Sequence, residues 1–223
     1  MSRLAIFDCD GTLVDSGATI HRALTATFYA HGRDPLPPAQ ARKVIGLSLV
    51  EAMATLAPDA DRDEHEALST TYKDAFSTMR RAGRVEEPLY DGVLELLDRM
   101  EQRDWLLAVA TGKSMRGLKH CLESHGIHAR FVSLQTADTH PSKPHPSMVL
   151  QALADSGCEA GRSVVIGDTA WDMGMARAAG ARAIGALWGY HDEAELLRAG
   201  AEAIARAPLE VAAMAEQMVG EER

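Results

Sequence analysis

The segment that decides the fold lies near the start of the chain, where residues 4–16 read LAIFDCDGTLVDS. Its apolar part, residues 4–7, is short and Gly11 soon follows, which is typical of a buried strand that ends in a turn. Asp8 and Asp10 come at the carboxyl end of that strand, where open parallel sheets bind their ligands. Two carboxylates this close repel each other, and a cation or unequal protonation would relieve the repulsion. The sequence therefore predicts a reactive carboxylate pair at the edge of a sheet.

Two further stretches offer groups that can hold an anion. The apolar residues 105–110 indicate a second strand, and they run into Thr111 and Gly112 at the mouth of the following helix. A hydroxyl and free backbone N–H groups at such a place form an anion site. Later in the chain Lys143 lies in the loop 142–146, where two prolines stiffen the backbone and hold its ammonium group in place.

Another short apolar run carries further acidic residues. Residues 163–167 form a buried strand, Asp168 follows at its tip, and Asp172 lies in the first turn of the next predicted helix. Carboxylate oxygens in this arrangement suit a hard cation, above all Mg²⁺. The sequence therefore predicts a cation site in addition to the carboxylate pair.

The second half of the chain indicates the fold class. From about Asp91 onward, apolar strands alternate with amphipathic helices, which predicts βα units and a parallel sheet. Helices are predicted at residues 91–103, 114–125, 146–157 and 170–179, and strands at 105–110, 131–134, 164–167 and 183–187. A last helix, strand and helix are predicted at 193–198, 202–205 and 209–218.

The segment after the first motif has a different character. Apolar residues recur at helical spacing near both of its ends, from Ile20 to Phe28 and from Leu68 to Met79. It shows no strand pattern, so a small helical bundle is expected there. Short helices are also predicted at 40–45 and 48–56.

Composition excludes several classes of protein. The chain has 223 residues, 46% hydrophobic and 25% charged, which is ordinary globular material. Its net charge of −9 argues against nucleic acid as a partner, because that binding depends largely on cationic groups. Membrane association is not expected either, since no apolar run approaches the length of a bilayer span. The cysteines Cys9, Cys121 and Cys158 have no paired spacing, so reduced thiols and a cytoplasmic location are expected, for a monomer or a weak homodimer.

In this order and with these residues, the chain closely resembles the haloacid dehalogenase superfamily of phosphotransferases. The resemblance is strongest to small bacterial phosphatases that are similar to phosphoglycolate phosphatase. In the dehalogenating members the second aspartate is absent, so Asp10 points to a phosphatase or a phosphomutase. The resemblance implies a Rossmann-like α/β core with an inserted helical cap, and a magnesium-dependent phosphatase that acts on a small phosphorylated metabolite.

The resemblance also implies a role for each acidic motif residue. Asp8 would be the nucleophile that attacks phosphorus, and Asp10 the general acid for the leaving oxygen and then the base for the attacking water. Lys143 would help to keep Asp8 ionised. Mg²⁺, the expected cofactor, would be held by Asp8, the Asp10 carbonyl, Asp168 and Asp172, the last either as a ligand or as a group that orients a metal-bound water.

A further set of groups would bind the phosphoryl oxygens. Thr111 and the Gly112 N–H would hold the transferring group in line, and Lys143 would neutralise part of its charge. The contribution expected from Cys9 is its backbone N–H. Gly11 would let the backbone turn sharply and so free N–H groups to face the phosphoryl oxygens.

Other interpretations stay open. An inorganic pyrophosphatase or a nucleotide monophosphatase would use the same fold and chemistry. A phosphomutase like β-phosphoglucomutase fits less well, since its family usually carries a Glu-Asp pair where this chain has Gly167 and Asp168. A non-enzymatic binding module would be favoured by a broken motif, and none of the four is broken. Lys113 either adds positive potential to the site or faces solvent, and His191 either reaches its rim or does not.

The chain is therefore predicted to have two domains. Residues 1–16 and 85–223 would form the catalytic core, and residues 17–84 would form the cap. The cap shows little obvious charge aimed at a second anionic group, so it is expected to act mainly as a lid that excludes water and limits substrate size. Its residues expected to face substrate, unless they form a solvated helix face, are Arg42, Lys43, Gly46 and Ser48.

Overall fold

The computed structural model describes residues 2–220, in which six parallel strands form one sheet. The order across the sheet is β3-β2-β1-β4-β5-β6, so the first strand lies in the middle. The strands are β1 (Arg3–Phe7), β2 (Trp105–Thr111), β3 (Phe131–Thr136), β4 (Ser163–Gly167), β5 (Arg182–Ala186) and β6 (Ala203–Ala205).

Ten α-helices accompany the sheet within the described residues. Four lie between β1 and β2 in the predicted cap: α1 (Gly17–Ala30), α2 (Pro38–Arg42), α3 (Leu49–Leu56) and α4 (Arg62–Arg81). The others are α5 (Val93–Glu101), α6 (Met115–Ser124), α7 (Ser147–Ser156), α8 (Ala170–Ala179), α9 (Glu193–Ala199) and α10 (Val211–Gly220). Among residues 2–220, none of these helices is both long and apolar enough to cross a bilayer.

The sheet is covered by helices on both faces. Alternate residues of a strand point to opposite sides, and β1 shows this directly. Ala5 and Phe7 pack in one hydrophobic cluster with residues of α5, α6 and α10, whereas Leu4 and Ile6 pack in a second cluster with residues of α7, α8 and α9. This arrangement confirms the predicted α/β class with a Rossmann-like parallel sheet.

The helices α1 to α4 pack around a hydrophobic cluster of their own. Leu24 of α1, Met53 of α3 and Leu68 of α4 are buried in it. The chain leaves the core and returns to it side by side, since the Asp15 N–H donates to the Pro88 carbonyl at 2.8 Å. These helices occupy the segment predicted as a cap, and its division from the core at residues 17 and 84 stays a prediction.

A few elements begin or end away from their predicted bounds, each for a local reason. The helix expected from residue 91 begins at Val93, because Gly92 has a left-handed backbone with φ of 87°. Strand β3 continues to Thr136 because its last residues pair with the end of β2. In the cap, α2 begins at Pro38 rather than at residue 40, since proline is well suited to the first turn of a helix.

Candidate active site

The four sequence motifs meet at one edge of the sheet. β1 pairs with β2 on one side and with β4 on the other, so the order of the strands reverses beside β1. Open α/β sheets bind ligands at such a switch point, outside the carboxyl ends of the strands. Asp8, Thr111 and Asp168 directly follow or end these three strands, and Lys143 reaches the same edge from the loop after β3.

The Asp8 carboxylate lies at the centre of this edge and is 1% exposed. Its Oδ1 lies 2.9 Å from Lys143 Nζ and accepts a hydrogen bond from the Cys9 N–H at 2.6 Å. Its Oδ2 is buried and has no hydrogen-bond partner among the described residues. A buried carboxylate oxygen without a partner is costly, so this atom marks a place where a ligand fits.

Three buried carboxylates concentrate negative charge around that oxygen. Asp8, Asp168 and Asp172 each offer an oxygen, and these atoms lie within 4.8 Å of one another. Burial raises the pKa of Asp8 to about 7, although Lys143 opposes the shift. Burial and the charge of Asp8 raise the pKa of Asp168 well above its ordinary value. A divalent cation would relieve this repulsion, so the donor set fits a metal ion with oxygen ligands.

Asp168 is held by neighbours that the sequence analysis did not identify. Its Oδ1 accepts a hydrogen bond from the Thr12 hydroxyl, and its Oδ2 accepts one from the Tyr190 N–H, both at 2.9 Å. Two glycines make room for it: a Cβ on Gly11 would lie 2.2 Å from Asp168 Oδ2, and a Cβ on Gly189 would lie 2.2 Å from Asp168 Cβ. Thr12 belongs to the quoted first motif, whereas nothing in the sequence around Gly189 indicates its closeness to Asp168.

Gly11 differs from its predicted role. Its N–H donates to the Val14 carbonyl at 2.9 Å, so this amide is not free to bind a phosphoryl oxygen. The prediction of Gly11 as a phosphate-binding residue is therefore corrected. The structure requires glycine there because φ is 89° and because Asp168 leaves no space for a side chain.

Lys143 forms the positive centre of the site. Its side chain is fully buried, and its Nζ lies 2.6 Å from Asp172 Oδ1 as well as 2.9 Å from Asp8 Oδ1. Burial alone would lower the pKa of Lys143, but the carboxylates of Asp172 and Asp8 outweigh it and raise the pKa. Lys143 therefore stays charged next to the proposed nucleophile.

Asp172 is occupied on both of its oxygens. Oδ1 meets Lys143, and Oδ2 accepts hydrogen bonds from the Thr169 N–H at 3.1 Å and the Thr169 hydroxyl at 2.6 Å, in the capping box that starts α8. A Cβ on Gly167 would lie 2.3 Å from Asp172 Cβ. With Asp172 in this position, residue 167 has no space for the glutamate of the phosphomutase pattern.

Asp10 lies beside the carboxylate cluster and has a different partner. Its Oδ1 accepts hydrogen bonds from Lys113 Nζ at 2.8 Å and from the Ser16 hydroxyl at 2.5 Å. Lys113 Nζ also lies 2.8 Å from Glu87 Oε1, and the Lys113 side chain is 9% exposed. Burial alone would lower the pKa of Lys113, but Asp10 and Glu87 raise it. The interpretation of Lys113 as a solvent-facing lysine is therefore wrong, because the lysine is buried between two carboxylates.

The cap touches the core at the second motif. Gly112 follows the buried Thr111, and a Cβ on Gly112 would lie 2.5 Å from the Leu47 carbonyl and 2.6 Å from the Gly46 carbonyl. The adjacent Ser48 N–H donates to the Ser142 hydroxyl at 2.9 Å, next to Lys143. The cap is thus closed onto the core in this structure.

The remaining predicted positions divide between the site and its surroundings. Gly46 and Ser48 lie at the closed contact, whereas the side chains of Arg42 and Lys43 are exposed. His191 lies at the start of α8, where its Nδ1 accepts a hydrogen bond from the Ala170 N–H at 3.2 Å. Burial lowers the pKa of His191, which favours the neutral ring that this hydrogen bond needs.

A cavity of about 120 Å³ lies between the cap and the core, next to Asp10. The core contributes Asp10, Gly112 and Lys113 to its wall, and the cap contributes residues that include Tyr72 and Arg80 of α4. The cavity therefore joins the proposed acid-base residue to the cap, where the leaving group of a phosphate ester would be expected.

Comparison with known proteins agrees with this geometry. The sequence model of the family described as haloacid dehalogenase-like hydrolase matches residues 5–186. The chain is 34% identical over 202 residues to a probable phosphatase, IndB, of Dickeya dadantii, covering 88% of this chain and 86% of that protein. It is 32% identical over 189 residues to a phosphoglycolate phosphatase of Xylella fastidiosa, covering 84% and 81%.

Solved structures show the same fold along almost the whole chain. A hydrolase from Pseudomonas syringae has a TM-score of 0.84 and 26% identity, with 97% of this chain and 99% of that chain covered. A haloacid dehalogenase-like hydrolase from Streptococcus pneumoniae has a TM-score of 0.83 and 27% identity, with 96% and 98% covered. The similarity thus extends over both the sheet and the helical segment after β1.

Proposed function

The chain belongs to the haloacid dehalogenase-like hydrolases, as its motifs predict, and from this premise we propose that it transfers the phosphoryl group of a small monoester to Asp8 and then to water. That the protein is a phosphoric monoester hydrolase is supported by the family and by relatives named as phosphatases. The observation that carries the proposed route is Asp8 Oδ2, a buried carboxylate oxygen without a partner at the centre of the site.

The first step needs an ionised Asp8 next to an anionic phosphate. Lys143, 2.9 Å from Asp8 Oδ1, supports both charges, and it stays protonated because Asp172 holds it from the other side. Asp8 attacks phosphorus, the bond to the leaving oxygen breaks, and an aspartyl phosphate forms. The Cys9 N–H, which already donates to Asp8, and the Thr111 hydroxyl are close to the place where the transferred group would lie.

Asp10 is the proposed acid and base. It lines the cavity next to the cap, where it can donate a proton to the leaving oxygen and later accept one from the attacking water. Hydrogen bonds from Lys113 and Ser16 hold its Oδ1, so the carboxyl group has a fixed orientation. Covalent catalysis in these two steps divides one very slow hydrolysis into two faster reactions.

Mg²⁺ is the proposed cofactor. Asp8 and Asp168 would hold it through carboxylate oxygens and Asp10 through its backbone carbonyl, and the ion would supply charge neutralisation for the phosphoryl oxygens. Asp172 would act indirectly, since both of its oxygens already accept hydrogen bonds from Lys143 and Thr169. Its contribution would be to hold Lys143 and to orient a metal-bound water.

Phosphoglycolate is the first substrate to test. Several relatives with 28–32% identity are named phosphoglycolate phosphatase. The small volume between cap and core, about 120 Å³, supports a leaving group of a few heavy atoms. We place this activity in the cytoplasm of the cell, for a monomer or weak homodimer, because the thiols Cys9, Cys121 and Cys158 are free.

A phosphate-release assay tests the proposed function. Purified protein is incubated with 2-phosphoglycolate, other small monoesters, pyrophosphate and nucleoside monophosphates, with Mg²⁺, with Ca²⁺ or with EDTA. We expect release from small monoesters with Mg²⁺ only, because the larger and less regular coordination of Ca²⁺ disturbs in-line geometry. Full activity of the metal-free protein would contradict the cofactor, and no release from any ester would contradict the function.

A further inference from the structure

The cavity between cap and core carries an unusual amount of positive charge for this protein. Its lining includes the cations Lys73, Arg80, Lys113 and Arg116, and its only carboxylate among the described residues is Asp10. The chain as a whole has a net charge of −9. The positive charge is therefore concentrated at the place where a leaving group would lie, which favours an anionic group there.

These cations are not equivalent. Lys113 is paired with Asp10 and Glu87, both at 2.8 Å, so its charge is already neutralised within the protein. Lys73 and Arg116 are exposed to solvent, where a single charge contributes little to binding. Arg80, in the last turn of α4, is partly buried and forms no ion pair with any carboxylate in residues 2–220.

Arg80 also has an unsatisfied donor. Its Nε is buried and has no hydrogen-bond partner in the part of the chain that the structure describes. Its guanidinium lies 5.1 Å from the centre of the Phe76 ring, which fixes the plane of the group, and Lys113 Nζ lies 5.8 Å from the same ring. A fixed guanidinium with free N–H groups is suited to a planar anion that accepts two hydrogen bonds.

We propose that Arg80 binds a carboxylate on the leaving group of the substrate, and that this contact selects carboxylated monoesters over neutral ones; the inference rests on the proposed phosphatase function. Apolar walls from Leu24, Ile45 and Tyr72 exclude water from part of the cavity and strengthen the ion pair. The cap thus supplies a specific charge as well as a lid, and the expectation that it offers little charge for a second anionic group is wrong.

The test compares substrates that differ only in the charge of the leaving group. The wild-type protein is assayed with 2-phosphoglycolate, 2-hydroxyethyl phosphate and phosphoethanolamine, which carry a carboxylate, a neutral hydroxyl and an ammonium group. We expect kcat/KM to fall in that order. Arg80→Gln should lower kcat/KM for 2-phosphoglycolate by about 10- to 100-fold, the effect of losing a charge-assisted hydrogen bond, and should change that for 2-hydroxyethyl phosphate by less than about threefold.

A neighbouring arginine provides the matched control. Arg81→Gln removes the same charge from the same turn, but Arg81 is exposed and bonds only to Thr78, so both substrates should be unaffected. Arg80→Lys should restore part of the preference. Equal loss on the charged and neutral substrates in Arg80→Gln, or a wild-type protein that hydrolyses all three equally, would overturn the inference while phosphatase activity stands. No phosphate release from any of the three substrates would instead contradict the proposed function.

Discussion

At the sheet edge three buried carboxylates surround one lysine, whereas across the cavity the cap contributes cations and no carboxylate among its described lining residues. The sheet edge is held by parallel strands, and each of its reactive groups has close neighbours that fix it. The cap meets the core through a few loop contacts instead. Chemistry is thus placed on the rigid part of the molecule and recognition on the part that can open.

The largest effect should come from the sheet edge itself. Asp8→Asn keeps the shape of the side chain but removes the attacking charge, so kcat should fall by about 10⁴-fold or more. Folding should be intact, since one of three mutually repelling carboxylates is removed. Circular dichroism and phosphate release measure the two quantities, with Asp59→Asn, which alters an exposed pair with Arg33, as the control. Near-normal turnover in folded Asp8→Asn would eliminate the covalent route.

The second prediction separates the two steps that Asp10 serves. With an alkyl phosphate, Asp10→Asn should reduce turnover by about 10³-fold, because the alkoxide cannot leave without a proton. With p-nitrophenyl phosphate the leaving group needs no proton, so Asp8 should still be phosphorylated and water attack should become limiting.

Rapid mixing with p-nitrophenyl phosphate distinguishes these outcomes. A burst of p-nitrophenol close to one equivalent of enzyme is expected from Asp10→Asn. An equal loss on both substrates without a burst would show that Asp10 is not the acid.

The third prediction concerns the contact between the two regions. A methyl group on Gly112 would lie 2.5 Å from the Leu47 carbonyl, so Gly112→Ala must push the cap loop away from the core. We expect kcat/KM for a small ester to fall by about 10- to 100-fold, since an open site admits water and misaligns the substrate. Gly220→Ala, which meets nothing within 4 Å, is the matched control. An unchanged Gly112→Ala enzyme would mean that closure is not needed for turnover.

The same two regions differ in how far the sequence predicts them. Each motif at the sheet edge is contiguous: Asp8 and Asp168 directly follow an apolar run, so strand pattern alone places them at a sheet edge. The partners of Lys113 are 26 and 103 residues away, at Glu87 and Asp10, and only the folded chain brings them together.

Arg80 is the clearest case of a residue that the sequence cannot assign. It lies beside Arg81 in one charged run, and the helical pattern of α4 does not say which of the two faces the cavity. The packing of α4 against the core decides it. Apolar periodicity therefore predicts that the cap is helical, while its contribution to recognition depends on tertiary contacts.

The fourth prediction uses the raised pKa of Asp8 as a sign of metal binding. Because that pKa is about 7 in the folded metal-free protein and near 4 in the unfolded chain, the folded state binds more protons between these values. Stability of the metal-free protein should therefore fall as the pH rises from about 4 to about 7. Mg²⁺ needs the ionised carboxylate, so it should raise the melting temperature by about 5 °C at pH 8 and by less at pH 5.5.

Melting curves with and without Mg²⁺ at the two pH values check this linkage. Asp8→Asn should remove most of the difference, because its side chain neither titrates nor carries charge. An equal Mg²⁺ effect at both pH values would separate metal binding from the carboxylate cluster.

The smallest effect is expected where the cap and the core share one hydrogen bond. The Ser48 N–H donates to the Ser142 hydroxyl at 2.9 Å, and Ser142→Ala removes the acceptor while leaving the neighbouring Lys143 in place. One neutral hydrogen bond at a half-buried position contributes about 1 kcal/mol, so kcat/KM should fall by about two- to fivefold. Ser124→Ala, which loses a bond within its own helix segment, controls for the loss of a hydroxyl. A fall of 100-fold or more in Ser142→Ala would show that this serine takes part in the chemistry, and the separation between a reactive sheet edge and a closing cap would no longer hold there.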